Sequence, residues 1–175
     1  IENIKKFGLN VLVAINHFIT DTDREIKIVH DYCLKLGVKA SLCTHWADGG
    51  DGAKDLAKNV VELCNKNDKS KFKYLYSDED PILKKIEKIA KEIYKAKEIE
   101  VDEKIKDQIK KIEQAGFGKF PVCIAKTQYS FSTDPKLKGA PSGHTLCVRE
   151  IRLSSGAEFI VVVCGSIMTM PGLPR

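Results

Sequence analysis

Phe18 and Trp46 are the residues of this chain best suited to binding chemistry. Each stands a few positions past a short apolar run, Phe18 after residues 11–16 and Trp46 after residues 38–43, among polar and glycine neighbours. Two aromatic rings facing one another would hold a flat ligand by stacking on both its faces. Around them lie Asn16, His17 and His45, and then Gly49-Gly50-Asp51-Gly52. Free N–H groups at the start of a following helix can take an anion. A tight turn needing positive φ is the simpler account of the same glycines, and local sequence favours it. His17 and His45 could act as general bases, yet no nucleophile or carboxylate pattern accompanies them, so both read as polar loop contacts. His30 falls in a helical stretch and reads as structural. Asp48 and Asp51 are weak metal candidates, and no metal site is expected.

The elements around the two aromatics read as strand, helix, strand. Residues 11–16 form a continuous apolar run of the kind buried in parallel sheets. Thr22 and Glu25 have capping-box spacing. Ile26, Val29, Cys33 and Leu36 then recur at helical spacing, and Gly37 stops the helix. Residues 38–43 are the second strand. Such a unit has a right-handed crossover and parallel strands. Both following loops, with Phe18 and Trp46, then open on one sheet edge, where ligands of open parallel sheets sit.

The rest of the chain is punctuated clearly. Residues 1–7 end a helix before Gly8, and residues 51–65 form a helix carrying Ala53, Leu56, Ala57, Val60, Val61 and Cys64. Residues 72–76 (FKYLY) read as a strand. Asp80 and Pro81 suit the N-cap and first position of a helix running to about Lys95. A short strand at 97–101 and a helix over 102–115, stopped by Gly116, complete an α/β portion, residues 1–118. Residues 119–175 read as β-rich: a strand at 121–126, a long polar loop at 127–143, and two strands around a Ser-Gly turn within 144–165.

Composition narrows the function classes. The 175 residues are 43% apolar and 30% charged, with a formal net charge of +5. Lysines and glutamates alternate between Lys66 and Lys119, a pattern of solvated helical faces rather than a basic nucleic-acid stripe. No apolar run approaches the roughly 18–20 residues of a membrane span. The sequence begins at Ile1 without a signal pattern and reads as an interior piece of a longer protein. Six cysteines without a C-x-x-C pair read as small buried hydrophobes, kept as thiols in a reducing compartment. No G-x-x-x-x-G-K-[ST] phosphate loop is present. A GTPase-type base-reading loop is excluded, because His17 and Ile19 stand where Lys and Asp are required.

Five stretches, AINHFITDTDRE, THWADGGDGA, GFGKFPVCIAKTQYSFS, VREIRLSSGAEF and MTMPGLP, resemble formate–tetrahydrofolate ligase (formyltetrahydrofolate synthetase) in family order along nearly the whole chain. The resemblance is to roughly the last third of that P-loop-containing ligase. It implies ATP-dependent formylation of tetrahydrofolate through formyl phosphate, with ATP (and Mg2+) and tetrahydrofolate as substrates and no tightly bound prosthetic group. It implies that Phe18 and Trp46 sandwich the pterin and that Leu42 lines the formyl phosphate site. Asn16, Gly49 and Gly50 are further loop contacts, and no residue of this stretch is catalytic. The family's phosphate-binding Lys and Arg have no counterpart here, so the isolated chain is expected to be inactive. Its partners are expected to be small-molecule substrates and the remainder of the same polypeptide, in a homo-oligomeric full-length enzyme, with no nucleic acid and no membrane. Many bacterial members carry Pro where this chain has Ile19. The Thr44-His45-Trp46 spelling leans toward the ligase domain of eukaryotic one-carbon tetrahydrofolate synthases, which sets a mitochondrial alternative beside a cytoplasmic location. The rival readings are a non-catalytic pterin- or nucleotide-binding module, and a structural domain whose two aromatics are core.

Overall fold

A computed structural model describes residues 1–66 and 71–165. The MTMPGLP stretch lies outside them. The chain is mixed α/β with parallel sheets and divides into two compact units, Ile1–Lys73 and Tyr74–Arg175. The boundary expected at 118/119 thus falls within the second unit.

The first unit begins with α1 (Glu2–Lys6), followed by β1 (Leu12–Asn16), α2 (Asp23–Lys35) and β2 (Lys39–Cys43). Thr22 and Glu25 form the capping box: the Glu25 N–H donates to the Thr22 hydroxyl, and Glu25 Oε2 accepts from the Thr22 N–H at 2.9 Å. The Thr22 N–H and the Thr22 hydroxyl, both donating to Glu25 Oε2, hold the Glu25 carboxyl below its ordinary pKa, the backbone N–H contributing most. Strands β1 and β2 are parallel, with Leu12 opposite Lys39 and Asn16 opposite Cys43. Cys33, Val38, Ser41 and Cys43 are buried. The apolar run of β1 is less buried than its composition predicts, because among the described residues its sheet has two strands. A four-residue helix α3 (His45–Asp48), a 3-10 turn (Gly49–Ala53) and α4 (Lys54–Asn65) follow. Trp46 therefore sits in a helical turn rather than an open loop, and α4 begins three residues later than expected.

The expected strand at 72–76 is absent. Lys73 makes one backbone bond, to the Phe7 carbonyl, Phe72 and Tyr74 are exposed, and the Tyr76 hydroxyl accepts from the Val122 N–H instead. Alternating aromatics make a strand only where a neighbouring strand satisfies the backbone.

The second unit holds α5 (Ile82–Lys88) running into a π turn (Ile89–Ile93), β3 (Glu98–Val101), α6 (Glu103–Ile112) with its own π turn (Glu113–Phe117), β4 (Val122–Ala125), β5 (Thr145–Val148), β6 (Glu150–Ser154) and β7 (Phe159–Val163). Pro81 occupies the N-cap of α5, and the Ile82 N–H donates to Glu113 Oε1 at 2.8 Å. Asp80 is not the cap. Its carboxylate pairs with Lys84 and Lys88, each at 2.8 Å, and accepts from the Ser77 N–H. These partners hold it far below the usual carboxylate range, Lys84 contributing most. Asp102 caps α6 by accepting from the Ile105 N–H. Residues 144–165 form three strands, not two. The chain leaves one sheet at Arg149 and enters another: β5 pairs parallel to β3, while β6 pairs antiparallel to β7, which also pairs parallel to β4. The core gathers Ile82, Ile86, Ile105, Ile109, Leu146 and Ile160.

All six cysteines are free thiols. Cys33, Cys43 and Cys164 are buried as expected, whereas Cys64 and Cys123 are exposed. No helix among the described residues is long and apolar enough to cross a membrane.

Candidate functional site

The parallel ladder of β1 and β2 brings the two aromatic stretches to one edge. Asn16 and Cys43 are register partners, and the His17 N–H donates to the Cys43 carbonyl at 3.0 Å, extending the ladder by one bond. Phe18 follows two residues after Asn16, and Trp46 three residues after Cys43. Phe18 is 47% exposed and Trp46 75% exposed, so neither ring is core. Ile19 is almost wholly exposed. Leu42, opposite Ile15 in the register, is 43% exposed on the last turn of the pleat before the edge. Asn16, Gly49 and Gly50 are also exposed. The register therefore sets Asn16 and Leu42 at the carboxyl end of two parallel strands, with Phe18 in the segment that follows β1 and Trp46, Gly49 and Gly50 in the segment that follows β2, all within one compact unit.

Two contacts that hold this edge were not anticipated. Asp21 clamps Phe18: Asp21 Oδ2 accepts from the Phe18 N–H at 2.8 Å, and the Asp21 N–H donates back to the Phe18 carbonyl at 2.9 Å. A carboxylate three residues beyond a loop aromatic was the available signal. Gly52 lies against the start of α3, its carbonyl accepting from the Thr44 N–H at 3.1 Å. A Cβ on Gly52 would fall 2.5 Å from the Thr44 carbonyl carbon and 2.6 Å from the His45 nitrogen. Gly49 has φ 57, so the turn uses both properties of glycine, small size and left-handed backbone. Gly52→Ala is expected to lose about 1–3 kcal/mol of stability through overpacking. Gly50→Ala, whose Cβ would meet nothing within 4 Å, is expected to be nearly neutral. Urea unfolding of both variants checks this; equal stability would show that the glycine turn does not hold Thr44 and His45.

Other chemistry at the edge is sparse. Asp51 is paired with Lys54 at 2.6 Å. No group of three metal-ligating side chains occurs among the described residues. The second unit has a cleft of about 360 Å3 lined by Asp78, Glu79, Asp80, Glu113 and Lys119. Three of its carboxylates are committed: Asp80 to two lysines, Glu79 to Lys119, and Glu113 to the Ile82 N–H.

Comparison with known proteins adds an independent line. The family model described as formate--tetrahydrofolate ligase matches residues 1–175. A formate--tetrahydrofolate ligase of Pelagibacter ubique is 66% identical over all 175 residues, which cover 31% of that protein. Those of Ruegeria pomeroyi and Hyphomonas neptunium are 57% and 56% identical over the same span, again 31% of each. The chain thus spans about a third of the length of the curated relatives it matches. These relatives are bacterial, and they lend no support to the eukaryotic leaning of the Thr44-His45-Trp46 spelling.

Proposed function

Because this chain belongs to the formate–tetrahydrofolate ligase family, we propose that within the full-length enzyme it supplies the pterin-binding wall for ATP-dependent formylation of tetrahydrofolate. The observation that carries the proposal is the pair of exposed aromatics, Phe18 and Trp46, set at one end of two parallel strands. A pterin is flat and polarisable with polar edges, so stacking binds it without needing charge. By analogy with bases on aromatic side chains, each stacked face contributes about 1–3 kcal/mol.

In this reading ATP transfers its γ-phosphoryl group to a formate oxygen, giving formyl phosphate and ADP. An amine nitrogen of tetrahydrofolate then attacks the formyl carbon. The carbon–oxygen bond to phosphate breaks, phosphate leaves, and the nitrogen gives up its proton. Formyl phosphate hydrolyses readily, so the site must exclude water during transfer. Phe18 and Trp46 hold the nucleophile's ring, and Leu42 presents an apolar wall to formyl phosphate. Asn16, Gly49 and Gly50 offer polar edges to the pterin. The phosphate loop and the groups that hold ATP and its Mg2+ are assigned to the polypeptide outside this chain, so the isolated 175 residues make no product. Asp51 is engaged by Lys54, and no step of the reading runs through a metal held here. The bacterial relatives favour a cytoplasmic setting over the mitochondrial one.

Phe18→Leu in the full-length enzyme tests the proposal, since it keeps apolar volume but removes the π face. The tetrahydrofolate KM is expected to rise about 3- to 10-fold, a loss of about 1 kcal/mol. The ATP KM stays unchanged. An unaltered tetrahydrofolate KM, or an equal rise in both constants, would remove Phe18 from the pterin site.

A further inference from the structure

We propose that α4 carries a second, outward-facing apolar stripe that seats against a helix of the ligase polypeptide lying outside this chain. The inner face of α4 is already used. Leu56, Asn59 and Leu63 are half-buried, and the Asn59 amide donates to the Ser41 hydroxyl on β2 at 2.7 Å while accepting from Lys39. A different face carries Ala57, Val60, Val61 and Cys64, spaced i, i+3, i+4 and i+7. All four are exposed, Val60 at 43% and Val61 at 59%. The polar face is separate again, with Lys58 paired to Asp55 and Lys54 to Asp51. A surface helix of a globular protein has one apolar stripe facing its core. A helix with two is built to lie between layers.

The incomplete sheet beneath identifies the occupant. Among the described residues β1 and β2 pair only with each other, so both outer edges of a parallel sheet stand open. Parallel sheets are covered on both faces, and two strands are too few to stand alone. Further parallel strands arrive with crossover connections of a dozen or more residues, usually helical. The curated relatives are about three times as long as the span they share with this chain, which is ample for such strands and helices. A helix delivered by one of these crossovers fits the stripe better than a separate protein does, because the same polypeptide must also complete the sheet.

The proposal rests on family membership and chain length and is independent of the pterin reading. Cys64, a native thiol within the stripe, reports on it in the full-length enzyme. Maleimide labelling, resolved by site with mass spectrometry and normalised to each thiol's rate in urea, compares Cys64 with a cysteine introduced by Lys58→Cys on the polar face. Cys64 is expected to label at least about tenfold more slowly, since reaction must await local opening. That protection should not change on dilution. Equal rates in the purified full-length enzyme would overturn the proposal. Protection lost on dilution would overturn it too, by assigning the stripe to a second copy. Labelling needs no substrate, so a failed pterin site would leave this result standing, and the reverse.

Discussion

Trp46→Ala in the full-length ligase is expected to raise the tetrahydrofolate KM by about 5- to 150-fold, the equivalent of about 1–3 kcal/mol of lost stacking. The ATP KM is expected to change far less, because Trp46 has no need to touch the triphosphate. The melting temperature separates a binding role from a packing one. A ring buried in a core would cost about 3–5 kcal/mol on truncation to alanine. Trp46 is 75% exposed in a four-residue helical turn, so its loss should fall in the range of surface substitutions, about 0.5 kcal/mol. Trp46→Phe keeps a stacking face and should restore most of the affinity. Unchanged tetrahydrofolate affinity with a collapsed melting temperature would show that the ring packs rather than binds. The pterin sandwich would then have to be abandoned.

The parts of the first unit that were legible in the sequence are those fixed by local chemistry. Thr22 and Glu25 mark a helix start because their side chains satisfy each other's backbone N–H groups, whatever surrounds them. The parallel pairing of β1 and β2 follows from a short helical crossover, and with it the shared edge of Phe18 and Trp46. Features set by long-range partners were not legible. The stretch 72–76 alternates like a strand, but among the described residues it belongs to no sheet. Within 144–165 the residues before the Ser-Gly turn read as one strand, yet the Arg149 N–H donates to the Val163 carbonyl and the chain passes there from one sheet to another. The close approach of Gly52 to Thr44 is likewise a tertiary fact that no local pattern encodes. The Lys/Glu helices show the same limit. Lys91, Lys106 and Lys110 pair at i−4, i−3 and i−3 on exposed faces, but Lys85 has no exposed surface at all.

Lys85 carries the largest expected effect on stability. It lies three residues after Ile82 and one before Ile86, both fully buried, so its stem enters the core with theirs. The ammonium donates to the Gly118 carbonyl at 2.8 Å and the Phe120 carbonyl at 3.1 Å, and stands 5.8 Å from the centre of the Tyr76 ring. Burial pulls its pKa below the ordinary lysine value, while nearby carboxylates, Asp78 foremost, pull it back up. The two carbonyls flank Lys119 where the chain turns from α6 toward β4. Lys85 thereby ties α5 to the entrance of β4, which pairs parallel to β7. Removing the ammonium leaves two part-buried carbonyls without this donor, at up to about 1–3 kcal/mol each, and alanine also leaves a cavity. Lys85→Ala is therefore expected to lose about 3–5 kcal/mol by urea unfolding of the full-length enzyme. Lys85→Met keeps most of the volume and isolates the hydrogen-bonding part, so it should lose about 1–3 kcal/mol. Lys84→Met, one position away and largely exposed, should cost about 1 kcal/mol or less. The opposing quantity is the desolvation of the ammonium itself, which methionine relieves. If Lys85→Met proved as stable as the parent, that desolvation would equal what the two carbonyl bonds contribute. Lys85 would then be a tolerated buried charge, not the clamp that seats Gly118 and Phe120.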